Sequence, residues 1–453
     1  MRMLATLWIV MLAGCAGTPV PTRPSSLEPP DPAAAARVRQ EFLHAWNGYK
    51  RYAWGHDELK PLSRAPHDWY AGTLLITPVD SLDTMLMMGL EEEAEAARAY
   101  IVENLSFDRD ISVKNFEITI RLLGGLLSAH QMTGDPRLLA PADDLGRRLL
   151  PVFGSPTGMP YMYVNLRTGA TRGAVSNPAE IGTLILEFGT LARLTGKAVY
   201  YDKPKHALVQ LFNRRSSIGL VGESIDVETG EWTRPASHVG AGIDSYYEYL
   251  LKCWLLFGDA QCRQMWQESV DALNARVADE TPSGLWYGEV DMNSGRRTAT
   301  EFGALQAFFP AVLVLHGDLD RARRLEASCL SMWTATQIEP DGFDYGAQRP
   351  TDLAYPLRPE IIESAWYLNR ATGDPAYREM GQRFFDDIVK YCRTEGGYAT
   401  LANVVTKEQD DAMPSFFLAE TLKYLYLLFA EPANVDLRDV VFTTEAHPLR
   451  RNR

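Results

Sequence analysis

Apolar positions along this chain fall into two alternating helical patterns. One is apolar almost all round, as in "NFEITIRLLGGLLSAH" (Asn115 to His130), "AEIGTLILEF" (from Ala179) and "DSYYEYLLK" (from Asp244). The other is amphipathic, as in "LEEEAEAARAYI" (Leu90 to Ile101). The first predicts inner helices and the second outer helices with a solvated face. Five similar turns separate them: Thr133-Gly134-Asp135, Thr195-Gly196-Lys197, Phe257-Gly258-Asp259, His316-Gly317-Asp318 and Thr372-Gly373-Asp374. Glycine suits the left-handed residue that ends a helix, and aspartate caps the next one. The glycines are spaced by 62, 62, 59 and 56 residues, a period near sixty that fits one helix pair per repeat. Gly89 and the segment near 429 supply two more turns. Seven helix hairpins then fit between about 36 and 430; such a repeat either stays open as a solenoid or closes into a ring, and seven pairs point to an all-α (α/α)7 barrel. Minor β-hairpins are expected in 156–176 and 219–240, because "GMPYMYVNLRTGATRG" alternates in the manner of a strand.

Carboxylates recur in phase with this repeat. Glu117, Glu180, Asp244, Glu360 and Glu420 each sit near the start of an apolar helix, at steps of 63, 64, 116 and 60. Asp80 and Asp83 take the first slot, while the fifth, near 302, has only the off-phase Glu301. Arg121 follows Glu117 by four residues and shares its helix face. Acids favour helix N-termini electrostatically, which accounts for two or three of these residues. It does not account for acids on the inner wall of a ring. There, helix starts converge, and clustered carboxylates are costly unless they bind a cation or do chemistry. Glycoside hydrolysis needs such a pair, one group to protonate the leaving oxygen and one to activate water or attack the sugar. Tyr246, Tyr355 and Phe416 are candidate sugar-binding rings, whereas Tyr247, Trp366 and Phe417 read as core.

The composition narrows the setting. The chain has 453 residues, 46% of them apolar, enough for a large core. Its net charge of −13 disfavours nucleic acid as a partner. Arg2 precedes the apolar run from Leu4 to Met11, too short to span a bilayer, and Leu12-Ala13-Gly14-Cys15 resembles a bacterial lipobox. The expected organisation is a signal peptide over 1–14, a lipidated Cys15 with a Pro-rich tether over 15–35, and a catalytic domain over 36–453. Export to the periplasm or cell surface on a lipid anchor follows, with no other membrane contact and a monomeric state expected. Cys253, Cys262, Cys329 and Cys392 lack metal-site spacing. Cys253 and Cys262 flank a turn and are the easiest pair to oxidise, with free buried thiols the alternative.

The stretches "DSLDTM", "NFEITIRLLGGLLSAH", "AEIGTLILEF", "DSYYEYLLK", "LRPEIIES", "SFFLAETLKYLYLLF" and "FTTEAHPL" resemble class I α-mannosidases, glycoside hydrolase family 47, over roughly residues 36–449. The resemblance implies an (α/α)7 barrel and a calcium-dependent, inverting exo-α-1,2-mannosidase acting on a mannose-containing oligosaccharide. It makes Glu117 the general acid, Arg121 a substrate contact, Asp244 a catalytic carboxylate and Glu360 the base, with Arg358 and Pro359 beside it. Asp244 remains open as the alternative base. Phe416 is the ring that stacks on the terminal mannose. Ca²⁺ is held by Thr444, with Glu360, Glu363, Glu420 and Glu445 around it, and Glu180 joins the substrate-binding set. The segment carrying Thr444 is expected to enter the barrel as a C-terminal plug.

The chain departs from the family pattern at Ala304, Gly242, Pro414 and Ala307, the last leaving Cys329 without a partner. These departures bear on branch preference rather than on the proposed acid, base or ion ligand. Two other functions stand against the mannosidase: a non-catalytic mannose-glycan-binding protein on the same barrel, and a barrel hydrolase of another sugar. Intact Glu117, Asp244, Glu360 and Thr444 argue against the first, and "TEAHP" argues against the second.

Overall fold

The computed structural model describes residues 29–431 and 435–451. The expected signal peptide and Cys15 lie outside the described residues. Inner helices cover 76–87, 115–133, 178–195, 244–257, 304–316, 360–372 and 417–429, with short breaks at 81 and at 183–184. Outer helices are Pro32–Tyr52, Glu91–Asn104, Pro136–Leu149, Val199–Phe212, Ala260–Arg276, Leu319–Thr336 and Ala376–Cys392. Asp31 caps the first of them through Ala33 and Ala34, so residues 32–35 form its first turn and not the end of a tether, as the expected boundary at 36 had it.

Burial follows the sequence pattern. Ala260–Arg276 buries Cys262, Met265, Trp266, Ser269, Val270 and Leu273, one stripe at helical spacing. Asp244–Phe257 buries every residue from Ser245 to Leu256, as an element packed on all sides must. The glycines of the five turns adopt φ between 69° and 100°. The Asp135, Asp259 and Asp318 side chains then accept from the first backbone N–H groups of the next helix.

Each inner helix packs on the next, and the seventh packs on the first, so the ring closes. The seventh pair joins the two ends of the domain. The last inner helix has no outer partner after it and packs instead on Pro32–Tyr52. Asp31 N–H donates to Phe429 O at 2.9 Å and pins this closure.

Nearly all strands lie in segments that run from an outer helix to the next inner one, including Ser112–Lys114, Tyr163–Asn165, Ser224–Asp226 and Trp232–Arg234. They crown the end where the inner helices start. The remaining pair, Val440–Phe442 with Pro448–Arg450, is a hairpin whose tip, Thr443 to His447, enters the barrel. Gly124 makes room for it: a Cβ there would lie 2.7 Å from His447 Cδ2. At Gly125 a Cβ would lie 2.7 Å from Val79 O on the first inner helix. The double glycine is thus a pair of close-approach sites.

Cys253 and Cys262 form a disulfide across their turn, while Cys329 and Cys392 are buried thiols. No described helix is long and apolar enough to cross a membrane.

Candidate active site

The starts of six inner helices and the tip of the C-terminal hairpin enclose one cavity of about 270 Å³. Eleven residues singled out in the sequence line it: Glu117, Arg121, Glu180, Asp244, Arg358, Glu360, Glu363, Phe416, Glu420, Thr444 and Glu445. The repeat brings nine of them together at or beside the starts of their staves, and the hairpin tip adds Thr444 and Glu445.

The acids are not helix caps. Asn177, not Glu180, caps its helix, accepting from Glu180 N–H at 2.9 Å. Glu117 Oε2 instead accepts from Arg121 Nη1 at 2.5 Å across one helical turn. Arg121 Nε lies 3.4 Å from Glu445 Oε1, which ties the hairpin tip to the acid's helix. That helix widens into a π-turn over Thr119–Leu123, and the last inner helix does the same over Phe417–Thr421, which carries Glu420. Arg358 donates to Asp341 at 3.0 Å through Nε and lies 5.9 Å from the Phe416 ring centroid.

Eight carboxylates and three cationic side chains line the cavity, so negative charge is in excess. Burial raises Glu360 to about 7 against the opposing charge of Arg358. It raises Asp244 to about 6, although Ser245 donates to that carboxylate through both N–H and hydroxyl. Glu180 reaches about 7 by burial, with Lys114 pulling the other way. Glu420 and Glu445 rise well above the usual carboxylate range, first by burial. For Glu420, the neighbouring carboxylates Glu445, Glu360 and Glu363 add to that rise.

Some expectations do not hold. Tyr246 and Tyr355 are fully buried in the core and do not line the cavity. Asp80 and Asp83 belong to a buried network below it. There, Lys423 Nζ and His447 Nδ1 lie 2.9 and 2.7 Å from the two oxygens of Asp83, and His447 Nε2 is 3.3 Å from Asp80. The fifth stave presents Leu305 and Phe308 where the others present acids, and Glu301 points to solvent.

The cavity also holds residues the sequence reading missed. Glu248 lies one turn after Asp244, so the i, i+4 rule that found Arg121 had the means to find it. It pairs with the buried Lys252. Lys114 sits 2.8 Å from Glu180 Oε1 and 3.4 Å from Glu117 Oε1. No local signal marks Asp341 as the partner of Arg358, because the contact spans 17 residues and a β-hairpin.

The family model for glycosyl hydrolase family 47 matches residues 41–451. Alpha-mannosidase I MNS5 of Arabidopsis thaliana is 39% identical over 445 residues, covering 91% of this chain and 76% of the relative. The human ER degradation-enhancing alpha-mannosidase-like protein 2 is 39% identical over 457 residues, covering 93% and 78%. The structure of an alpha-1,2-mannosidase from Trichoderma reesei superposes with a TM-score of 0.87 at 28% identity, over 94% of this chain and all of that one. A ring of seven helix pairs, closed around one carboxylate-lined cleft and matched along nearly its whole length, makes this chain a member of glycosyl hydrolase family 47 and a glycoside hydrolase.

Proposed function

We propose that the chain is a calcium-dependent, inverting exo-α-1,2-mannosidase that removes terminal mannose from high-mannose glycans or α-1,2-mannans. The observation that carries this reading is the convergence of Glu117, Asp244, Glu360 and Thr444 on one cavity with a buried inner end. Relatives named for mannosidase activity support the sugar and the linkage.

The donor set suits a hard cation. It is all oxygen, the preference of Ca²⁺. Buried Glu360 Oε2 and Glu445 Oε1 have no hydrogen-bond partner. Thr444 N–H donates to Tyr249 Oη at 3.2 Å, while its hydroxyl and carbonyl oxygens carry no hydrogen bond among the described residues. Among those residues, only Cys253, Asp259 and Cys262 bring three donor atoms within 4.8 Å, and both cysteines are in the disulfide. Thr444 would be the protein ligand, with Glu360, Glu363, Glu420 and Glu445 around the hydration shell. When bound, calcium supplies charge that orients sugar hydroxyls and offsets the crowded carboxylates.

The residues divide the chemistry. Glu117 delivers a proton to the departing oxygen. Glu360, whose carboxylate burial raises against the opposing charge of Arg358, takes a proton from the attacking water. Attack from the opposite face of the sugar gives β-mannose. Phe416 packs against the sugar ring, and Arg358 keeps both Phe416 and Asp341 in place. The walls exclude bulk water and strengthen each of these charges.

A panel of α-1,2-, α-1,3- and α-1,6-linked mannobioses tests the assignment. Mannose release from the α-1,2 isomer alone supports it. Binding of all three without cleavage points to the glycan-binding alternative. The Leu12-Ala13-Gly14-Cys15 stretch supports export on a lipid anchor, and incorporation of labelled palmitate at Cys15 is its test.

A further inference from the structure

Lys114 ends the strand Ser112–Lys114, three residues before the acid. Its ammonium touches two carboxylates of the cleft, Glu180 Oε1 at 2.8 Å and Glu117 Oε1 at 3.4 Å. Side-chain exposure sets a direction through these groups. It is 3% for Glu445, 9% for Arg121, 24% for Glu117 and 31% for Lys114. Glu445 and Arg121 thus stand at the closed end, and Lys114 stands outward of the acid. The two oxygens of Glu117 mark the same axis: Oε2 takes Arg121, and Oε1 faces Lys114.

An acid that protonates the departing oxygen stands at the boundary between the sugar held and the sugar leaving. In an exo-acting cleft the terminal unit fills the closed end and the rest of the chain projects to solvent. A group outward of the acid therefore faces the leaving sugar. An ammonium has three N–H donors. Two are directed at Glu117 and Glu180, and the third has no hydrogen-bond partner among the described residues. Phe116 lies beside it, its ring centroid 5.9 Å from Nζ, and also lines the cavity. A charged donor next to an apolar ring is a pairing suited to a sugar, which offers hydroxyls at its edge and C–H groups on its face.

We propose that Lys114 is a specificity-determining residue on the leaving-group side of the cleft. It donates to a hydroxyl of the departing sugar while anchoring Glu117 and Glu180. The proposal rests on the mannosidase reading above. It also gives Lys114 a role that lysine fills and a neutral side chain of equal length does not, since only the cation spans two carboxylates and a hydroxyl.

The test compares two substrates in wild type, Lys114→Met and Lys114→Arg. α-1,2-Mannobiose has a leaving sugar. α-Mannosyl fluoride has a leaving group with no hydroxyl and no contact to make outward of the acid. In K114M, kcat/KM on mannobiose is expected to fall about 10- to 100-fold, mostly through KM, because a site built to bond a hydroxyl discriminates strongly. The loss on the fluoride is expected to be at least ten-fold smaller, and K114R should recover most of the loss on mannobiose. Equal losses on both substrates, or no loss on either, would overturn the proposal while leaving the mannosidase reading intact. A folded, calcium-loaded wild type that cleaves neither substrate would overturn that reading, and this proposal with it.

Discussion

Glu117 illustrates how one residue acquires a role from its surroundings. Its neighbours on either side are cations, Arg121 below and Lys114 above. Replacing it by glutamine keeps the shape and removes the transferable proton. E117Q is expected to lower kcat on α-1,2-mannobiose by about 10²–10⁴-fold, the range for a general acid, with circular dichroism unchanged. Glu117, Asp244 and Glu360 were legible in the sequence because each occupies a slot of a repeat. Asp341 was not, because its contact with Arg358 spans a β-hairpin, and Lys114 stands three residues before Glu117 but has its shorter contact with Glu180, a partner that chain order does not reveal.

His447 is a residue-scale stability element. Burial alone would strip its proton, but Asp83 and Asp80 flank the ring and hold its pKa at about 9. Burial would likewise raise Asp83, but Lys423 and His447 hold it down at about 2. The raised histidine stabilises the fold fully below its unfolded value of about 6.5, and that contribution is lost as pH rises through about 9. The depressed aspartate stabilises above about 3.8, and its contribution is lost as pH falls toward 2. Tm should therefore be highest between about pH 4 and 6.5 and drop by several degrees between pH 7 and 10. In His447→Gln, Tm should be lower at pH 7, with the part of the alkaline drop owed to His447 gone. An unchanged alkaline drop in that variant would reject the assignment.

At the scale of elements, the turns were the most readable feature. Gly134, Gly258, Gly317 and Gly373 adopt the left-handed conformation expected of them, and the aspartates after the first three cap the helices that follow. The inner staves were readable as buried helices but not in their local form. Nothing in "NFEITIRLLGG" announces a π-turn over Thr119–Leu123, since the widening is imposed by what packs around it. Nor does sequence distinguish the two glycines after it: Gly124 makes room for His447 from the far end of the chain, and Gly125 for the Val79 backbone of the first inner helix. Gly124→Ala places a methyl 2.7 Å from His447 and should push the hairpin tip outward. We expect a loss of about 1–3 kcal/mol in stability, measured by urea unfolding, together with weaker calcium binding, since Thr444 moves with the tip. Gly134→Ala meets no atom within 4 Å, so its cost is left-handed strain alone and calcium affinity should be unaffected.

On the scale of the whole molecule, closure of the ring converts a sequence period into a site. Seven staves start at one end, the helix Pro32–Tyr52 seals the seventh pair, and the C-terminal hairpin rises from below to bring Thr444 and Glu445 among the acids. Six of the seven pairs were legible as hairpins because turn chemistry is local, whereas the turn near 429 leads to no described helix. The partnership of Pro32–Tyr52 with the last inner helix was not legible, because it depends on how far the ring curves before it meets itself. The excess of carboxylates in the cavity gives the most direct test of the whole account. It is hydrolysis of α-1,2-mannobiose by the full chain, with EDTA and with Ca²⁺ restored, followed by proton NMR of the first anomer formed. The account predicts activity that EDTA abolishes, that Ca²⁺ recovers, and that yields β-mannose before mutarotation. Activity indifferent to the chelator, or α-mannose as the first product, would contradict it.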